Sequence, residues 1–246
     1  MRIIFLGTNG WYDTKTGNTL SVLVETRKEY VVLDAGNGIY KLDRYIKGLK
    51  PIHIFLSHLH LDHIIGLHLF AKFNFPQGID IYAPRHLSRR LASVIMKPYS
   101  AALTHLRTKV RLRELGKNYP APIKVKWRRL LHSSMCYGYR FTLENKIVSF
   151  CTDTGLCTNI LLLSDKADLL IAECSFKSGQ ESKKWPHLNP EEAARIADEA
   201  GVKRLALVHF DAGLYTSLSE RKIAQKKAQE IFKNTFAAQD DQEIIL

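Results

Sequence analysis

The feature that most constrains this chain is Ser57 to Gly66, SHLHLDHIIG, which sets His58, His60, Asp62 and His63 within six residues directly after the apolar run PIHIFL. A short apolar run of this kind reads as a buried strand, so four ionisable side chains leave a strand end together. His58 and His60 are two apart and project to one side of an extended segment. Asp62 and His63 follow at a turn into a helix, where they can face a second point. Imidazole and carboxylate at this density suit two divalent cations a few ångströms apart, Zn2+ first, with Mn2+ or Fe2+ as alternatives.

Each cation needs further ligands, and the chain offers them at the ends of apolar strands. His132 follows KWRRLL, Asp153 follows VSFCT and His209 follows RLALV. The expected partition gives His58, His60 and His132 to one ion and Asp62, His63 and His209 to the other, with Asp153 bridging through its two oxygens. Two such ions lower the pKa of an attacking water and stabilise charge on a carbonyl or phosphoryl oxygen. Asp62 can orient that water and accept its proton. Lactams, thioesters and phosphodiesters are all served by this chemistry.

The remaining pattern gives the frame. RIIFLG, TLSVLVET, YVVLDAG, IHIFLS and IDIYAP read as strands, and GIYKLDRYI and IIGLHLFAKF as helices. The segment from Arg85 to Leu115 has mixed helical periodicity. PIKVKWRRLLH, YGYRFTLE and KIVSFCTD alternate like antiparallel strands, and ADLLIAECS is a buried one. HLNPEEAARIADEAG is a helix capped by Asn189 with Pro190 at its first position and Gly201 past its end. VKRLALVHF is a strand, a final helix is expected over 219–236, and QEIIL is a strand-like tail. At 246 residues and 46% hydrophobic, with no linker or composition break, the chain is expected to form one domain over 1–246.

No apolar run reaches the roughly 20 residues needed to cross a bilayer, and the N-terminus lacks the apolar core and cleavage site of a signal peptide. Four cysteines without CxxC spacing favour a reducing compartment, so a cytoplasmic location is expected and no membrane partner. The net charge of +12 is regional: residues 85–129 hold thirteen Lys or Arg and one acid, Glu114, while the rest balances. That asymmetry favours a polyanion-facing surface, and Tyr99, Tyr119 and Trp127 within it are candidates for base stacking or for the core.

SHLHLDH, together with His132, Asp153 and His209, resembles the metallo-β-lactamase superfamily, whose signature is HxHxDH. The resemblance covers nearly the whole chain. It implies an α/β fold, a four-layered αβ/βα sandwich with two mixed sheets flanked by helices and two zinc ions at one edge, with Asp34 of LDAG bracing the metal loop. HSSMCYGYRF, LIAECSF and HLNPEEAARIADEAGVKRLALVHF are similar to the phosphodiesterase branch that includes ribonuclease Z. There a Glu and a His protonate the leaving oxygen, which implies Glu173 and His187 as that pair here. The branch also forms dimers, which makes a homodimer an expectation. Three motifs depart from it: AECS, HLN and Gly17-Asn18 stand where the branch has HEAT, HST and Arg-Asn, and 246 residues leave little room for its long arm. The expected activity is therefore a dinuclear-zinc phosphodiesterase acting on RNA 3′ ends, with a hydrolase of small cyclic or activated phosphodiesters as the alternative. A thioesterase or lactamase would leave Glu173 and His187 without a role.

Overall fold

Residues 1–116 and 121–246 are described in the computed structural model. Lys117 and Tyr119, counted above among the basic and aromatic groups, lie outside the described residues. In chain order the strands are β1 (Arg2–Gly7), β2 (Asn9–Gly10), β3 (Ser21–Glu25), β4 (Tyr30–Leu33), β5 (Ile52–Phe55), β6 (Ile79–Pro84), β7 (Val110–Leu115) and β8 (Lys124–Arg129). They continue with β9 (Tyr137–Leu143), β10 (Lys146–Cys151), β11 (Leu169–Glu173), β12 (Leu205–Val208), β13 (Phe210–Asp211), β14 (Thr235–Ala237) and β15 (Glu243–Ile245). The α-helices are α1 (Leu42–Tyr45), α2 (Leu61–Ile64), α3 (Arg85–Val94), α4 (Thr158–Ser164), α5 (Pro190–Glu199) and α6 (Leu218–Gln229).

Two mixed sheets face each other. The first runs β15-β1-β3-β4-β5-β6-β7 and the second β14-β12-β11-β10-β9-β8. In each, one half is antiparallel and the other parallel: β4, β5, β6 and β7 in the first, β10, β11, β12 and β14 in the second. The strand sequences explain the layering. Ile3 and Phe5, Val31 and Leu33, Leu169 and Ile171, Ala206 and Val208 fill the space between the sheets. Their alternates Ile4 and Leu6, or Val32 and Ile54, pack outward under α3 and the 3-10 segments. Leu170, Ala172, Leu205 and Leu207 do the same under α4, α5 and α6. Strands covered on both faces must be apolar throughout, which is why they read as unbroken hydrophobic runs. The result is the four-layered αβ/βα arrangement with helices outside and sheets inside.

Three local expectations need correction. The segment 85–115 is α-helical only to Val94, has one 3-10 turn at Leu103–His105 and ends in a strand, where Val110, Leu112 and Glu114 alternate with Arg111 and Arg113 and pair in parallel with β6. The stretch after the histidine cluster is a 3-10 helix from Ile65 to Lys72, with Leu67, Phe70 and Phe73 buried at the three-residue spacing that a 3-10 turn brings into line. The last helix stops at Gln229; Thr235–Ala237 instead adds to β12, where sheet hydrogen bonds replace helical ones. Asn189 caps α5 as expected, accepting from the Glu192 amide while Glu192 accepts from its own.

Six of the thirteen basic residues lie on sheet edges, Arg111 and Arg113 on β7 and Lys124, Lys126, Arg128 and Arg129 on β8, and three more, Arg85, Arg89 and Arg90, on α3. β7 and β8 are the terminal strands of their sheets, and exposed cationic side chains there also discourage edge-to-edge pairing. Arg111 and Arg113 are not free: Asp80 on β6 takes Arg111 in a two-pronged pair at 2.6 and 2.9 Å and Arg113 at 3.0 Å. Of the aromatics, Trp127 packs against the core between the sheets, while Tyr99 is 77% exposed. No helix among the described residues is long and apolar enough to cross a membrane.

Candidate metal centre

Most side chains of the site lie at or just beyond the carboxyl end of a strand, the usual place for a ligand on parallel strands, while Asp62 and His63 lie on α2 and His187 precedes α5. Asp34 follows β4, His58 and His60 follow β5, and Asp153 follows β10. Glu173 ends β11 and His209 follows β12. His132 lies three residues beyond the end of β8, where Leu131 bridges to Gly155. Asp34, Asp153 and His209 all adopt positive φ, at 58°, 51° and 52°. Non-glycine residues reach that region at a cost, and such strain gathers where surrounding structure fixes a functional group.

The side chains form two groups that share one carboxylate. In the first, His58 Nε2 and His132 Nε2 lie 3.7 and 3.9 Å from Asp153 Oδ2, and His132 Nε2 lies 3.3 Å from His60 Nδ1. In the second, His63 Nε2 and His209 Nε2 are each 3.2 Å from Asp153 Oδ1, 3.1 Å from one another, and 3.4 and 3.2 Å from Asp62 Oδ2. Four ligands at about 2.0–2.1 Å from a tetrahedral ion stand about 3.3 Å apart. Both groups therefore suit a divalent cation, with Asp153 offering one oxygen to each. The buried His58 Nε2 has no hydrogen-bond partner among the described residues, as a nitrogen aimed at a cation position would not.

The surrounding bonds fix which ring nitrogen faces inward. Asp34, fully buried, accepts from the Ser57 amide at 2.7 Å, from the Ser57 hydroxyl at 2.7 Å and from His63 Nδ1 at 2.7 Å. Because the Ser57 hydroxyl is donated to Asp34, it accepts from His58 Nδ1 at 3.0 Å. One carboxylate thus turns Nε2 of both His58 and His63 toward the site. Ser175 does the same for His209: its hydroxyl donates to the His209 carbonyl and accepts from Nδ1, each at 2.9 Å. Gly10 makes room for this ring, since a Cβ there would sit 2.6 Å from His209 Cε1. Gly36 likewise allows the α2 backbone to approach, with the Asp62 carbonyl 2.5 Å from where a Cβ would be.

Electrostatics divide the two groups. Burial pushes His58, His60 and His132 down, His132 to about 4, so these rings are neutral and ready to ligate. Burial also disfavours charge on His63, but Asp153, Asp62 and Asp34 outweigh it and raise that ring well above its usual range; His209 is raised likewise by Asp153 and Asp62. Asp62 and Asp153 are held below the usual carboxylate range despite burial, Asp62 chiefly by His63 and Asp153 by His209 and His63. The second group is thus acidic enough to hold positive charge, which a cation would supply.

Glu173 and His187 stand beside the two groups. The fully buried Glu173 carboxylate accepts from His187 Nδ1 at 2.9 Å to each oxygen, from the Leu188 amide at 3.3 Å and from the Thr154 amide. Burial alone would lower His187; Glu173 reverses this and raises it to about 9. The His187 ring lies 5.3 Å from that of His132 and 6.0 Å from that of His209, centre to centre. All three line a cavity of about 720 Å³ with Asp62, Asp153, Trp11 and Trp185.

Of the expected side chains, His60, Asp62, His132, Asp153, His187 and His209 line the cavity, and the fully buried His58, His63 and Glu173 stand directly behind them. Missed from sequence were Ser57 and Ser175, which orient the rings, and the two tryptophans. So was Arg221, which is buried in α6 and donates to Thr8 at 2.8 Å, to Thr16 at 3.1 Å and to Asn9. Ser57 opens the histidine motif itself and Trp185 stands two residues before His187, the only sequence signals that pointed to them.

Comparison with known proteins agrees with the geometry. Residues 29–210 match the β-lactamase superfamily domain. Ribonuclease Z of Ligilactobacillus salivarius is 27% identical over 304 positions, covering 98% of this chain and 95% of its own. An alignment longer than this 246-residue chain means that the relative carries segments with no counterpart here. The probable metallo-hydrolase YhfI of Bacillus subtilis is 26% identical over 245 positions, covering 94% of each chain. The crystal structure of YhfI superposes with a TM-score of 0.83 at 23% identity, covering 99% of this chain and 98% of that one. A strand-end cluster of five histidines and two aspartates in this sandwich, matched over most of its length by the family's own pattern, makes the chain a metal-dependent hydrolase of the metallo-β-lactamase superfamily, related to ribonuclease Z and YhfI.

Proposed function

We propose that the chain is a dinuclear-zinc phosphodiesterase acting on RNA 3′ ends, in which His58, His60 and His132 hold one ion, Asp62, His63 and His209 the other, and Asp153 both. The observation that carries this reading is the Glu173–His187 pair. Expulsion of a ribose hydroxyl needs a proton, and a histidine kept charged at neutral pH by a buried carboxylate is suited to give it. With Nδ1 engaged by Glu173, His187 has Nε2 left for the leaving oxygen. When bound, the two cations lower the pKa of the attacking water and offset charge on the phosphoryl oxygens. Asp62, ionised and aimed into the second group, orients that water as a hydrogen-bond acceptor. The relatives named ribonuclease Z support a phosphodiester substrate, and the exposed cations of α3 and β8 support RNA.

Specific observations favour a second reading, hydrolysis of nucleotide-sized phosphodiesters. The cavity has the volume of a small-molecule site, Arg111 and Arg113 are engaged by Asp80, and YhfI aligns without the extra length of ribonuclease Z. Cleavage of a transfer-RNA precursor carrying a 3′ trailer separates the two, with Asp62→Ala as the blank and metal analysis of the purified protein alongside. A single cut beside the acceptor stem is expected for the first reading. An uncut precursor, in a preparation that hydrolyses bis(p-nitrophenyl) phosphate, establishes the second. Inertness toward both substrates with zinc bound would refute the phosphodiesterase.

A further inference from the structure

Two large apolar rings stand at the mouth of the cavity, and the hydrolytic chemistry uses neither. Trp11 is 70% exposed and Trp185 60% exposed, and both line the cavity with Asp62, His187 and His209. Their backbones are fixed. Trp11 adopts φ 71° and donates its amide to Asp62 Oδ2 at 2.9 Å. The loop behind it is braced by Asn9, whose side-chain amide donates to the carbonyls of Tyr12 at 3.0 Å and Gly17 at 2.9 Å, and Asn9 in turn accepts from buried Arg221. The Trp185 amide donates to Ser182 Oγ at 3.1 Å, two residues before His187. A strained, anchored residue presenting an exposed aromatic face beside reacting groups is the arrangement of a ligand clamp.

The rest of the lining says which ligand. Among the described residues that line the cavity there is no lysine or arginine. A chain of phosphates would find no cationic side chain there beyond the group at the reacting centre, whereas a flat heteroaromatic ring would find two indoles. We propose that Trp11 and Trp185 form a stacking platform for the nucleobase next to the scissile phosphate, so that within the cavity the substrate is recognised by its base. The inference rests on the phosphodiesterase reading for the reaction, but it concerns affinity and can be measured without turnover.

The test compares adenosine 5′-monophosphate with ribose 5-phosphate, which carry the same phosphate and differ by the base. Affinities are taken by calorimetry on the zinc-loaded protein. Stacking on an aromatic side chain implies that the nucleotide binds roughly 5- to 150-fold tighter. The ratio is expected to fall in Trp11→Ala and in Trp185→Ala and to approach one in the double variant, with circular dichroism as the check on folding. Equal affinities in the unaltered protein, no measurable binding of the nucleotide at millimolar concentration, or a ratio that survives in the double variant would overturn the platform. So would a dimer that Trp11→Ala splits while the ratio stays unchanged, since the ring would then belong to a subunit contact. Hydrolysis of bis(p-nitrophenyl) phosphate is read separately. Its absence with the base preference intact removes the phosphodiesterase and leaves the platform.

Discussion

Replacing Asp34 by asparagine exchanges one oxygen for an NH2 group and is expected to weaken both cation positions. The carboxylate accepts three donors, the Ser57 amide, the Ser57 hydroxyl and His63 Nδ1, each at 2.7 Å. An amide has one acceptor oxygen, so some donor must give way. If the oxygen stays with Ser57 Oγ and His63, the NH2 meets the Ser57 amide, and two buried donors face each other at a cost of about 1–3 kcal/mol. If the oxygen takes the Ser57 amide, the NH2 donates to His63 Nδ1 and to the Ser57 hydroxyl. That hydroxyl then donates to His58 Nδ1 across the existing 3.0 Å contact. Both rings would now carry their proton on Nε2, which points into the site. Asparagine tolerates the positive φ of position 34, so the backbone is not the cause of any loss. Partners of this kind are worth about 10- to 100-fold in metal affinity, and the relay through Ser57 applies that loss to each group. Competition with a zinc chelator measures it, with thermal unfolding of the metal-free protein as the control. Two equivalents of zinc bound with unchanged affinity would refute the relay.

Glu173→Gln removes the charge that holds His187 up at about 9. His187 gives its proton, so activity is lost as pH rises through its pKa; the variant's alkaline limb is expected at lower pH, and a pH–rate profile with an unmoved limb would contradict this. Arg221→Met leaves Thr8, Asn9 and Thr16 without their buried donor and is expected to cost about 2–4 kcal/mol in urea unfolding; a loss below 1 kcal/mol would deny Arg221 its bracing role. In RNA-binding titrations against salt, Arg107→Ala, an exposed cation, is expected to lower the slope by about one, as a phosphate contact would. Arg111→Ala, whose guanidinium Asp80 already engages, is expected to leave that slope unchanged; equal effects would show that the ion pair opens for RNA.

The inner strands were legible because they are apolar on both faces and β8 to β10 because they alternate, and His58, His60, His132, Asp153 and His209 because they lie just past the ends of such runs. Asp34, Glu173 and His187 stood out only through the resemblance of LDAG, LIAECSF and the segment from His187 to the family. What stayed hidden depends on contacts between distant segments. Arg111 reads as a free cation until β6 sets Asp80 beside it, and the alternation of β7 is masked by that charge. Arg221 looks like one more surface charge on the last helix until the fold buries it under the loop from Thr8 to Thr16. Trp11 and Trp185 sit in loops that have no period to read, and Trp11 owes its place to a positive φ that only the assembled site explains.

The most direct test of the account is the dependence of kcat/KM on the leaving group in His187→Ala, using phosphodiesters that share one nucleoside and differ in the group expelled. If His187 protonates the leaving oxygen, the variant should lose about 10²- to 10⁴-fold with an alkyl or ribose hydroxyl and little with p-nitrophenolate, which departs without a proton. An equal loss for both would remove His187 from that role and, with it, the observation on which the phosphodiesterase reading stands.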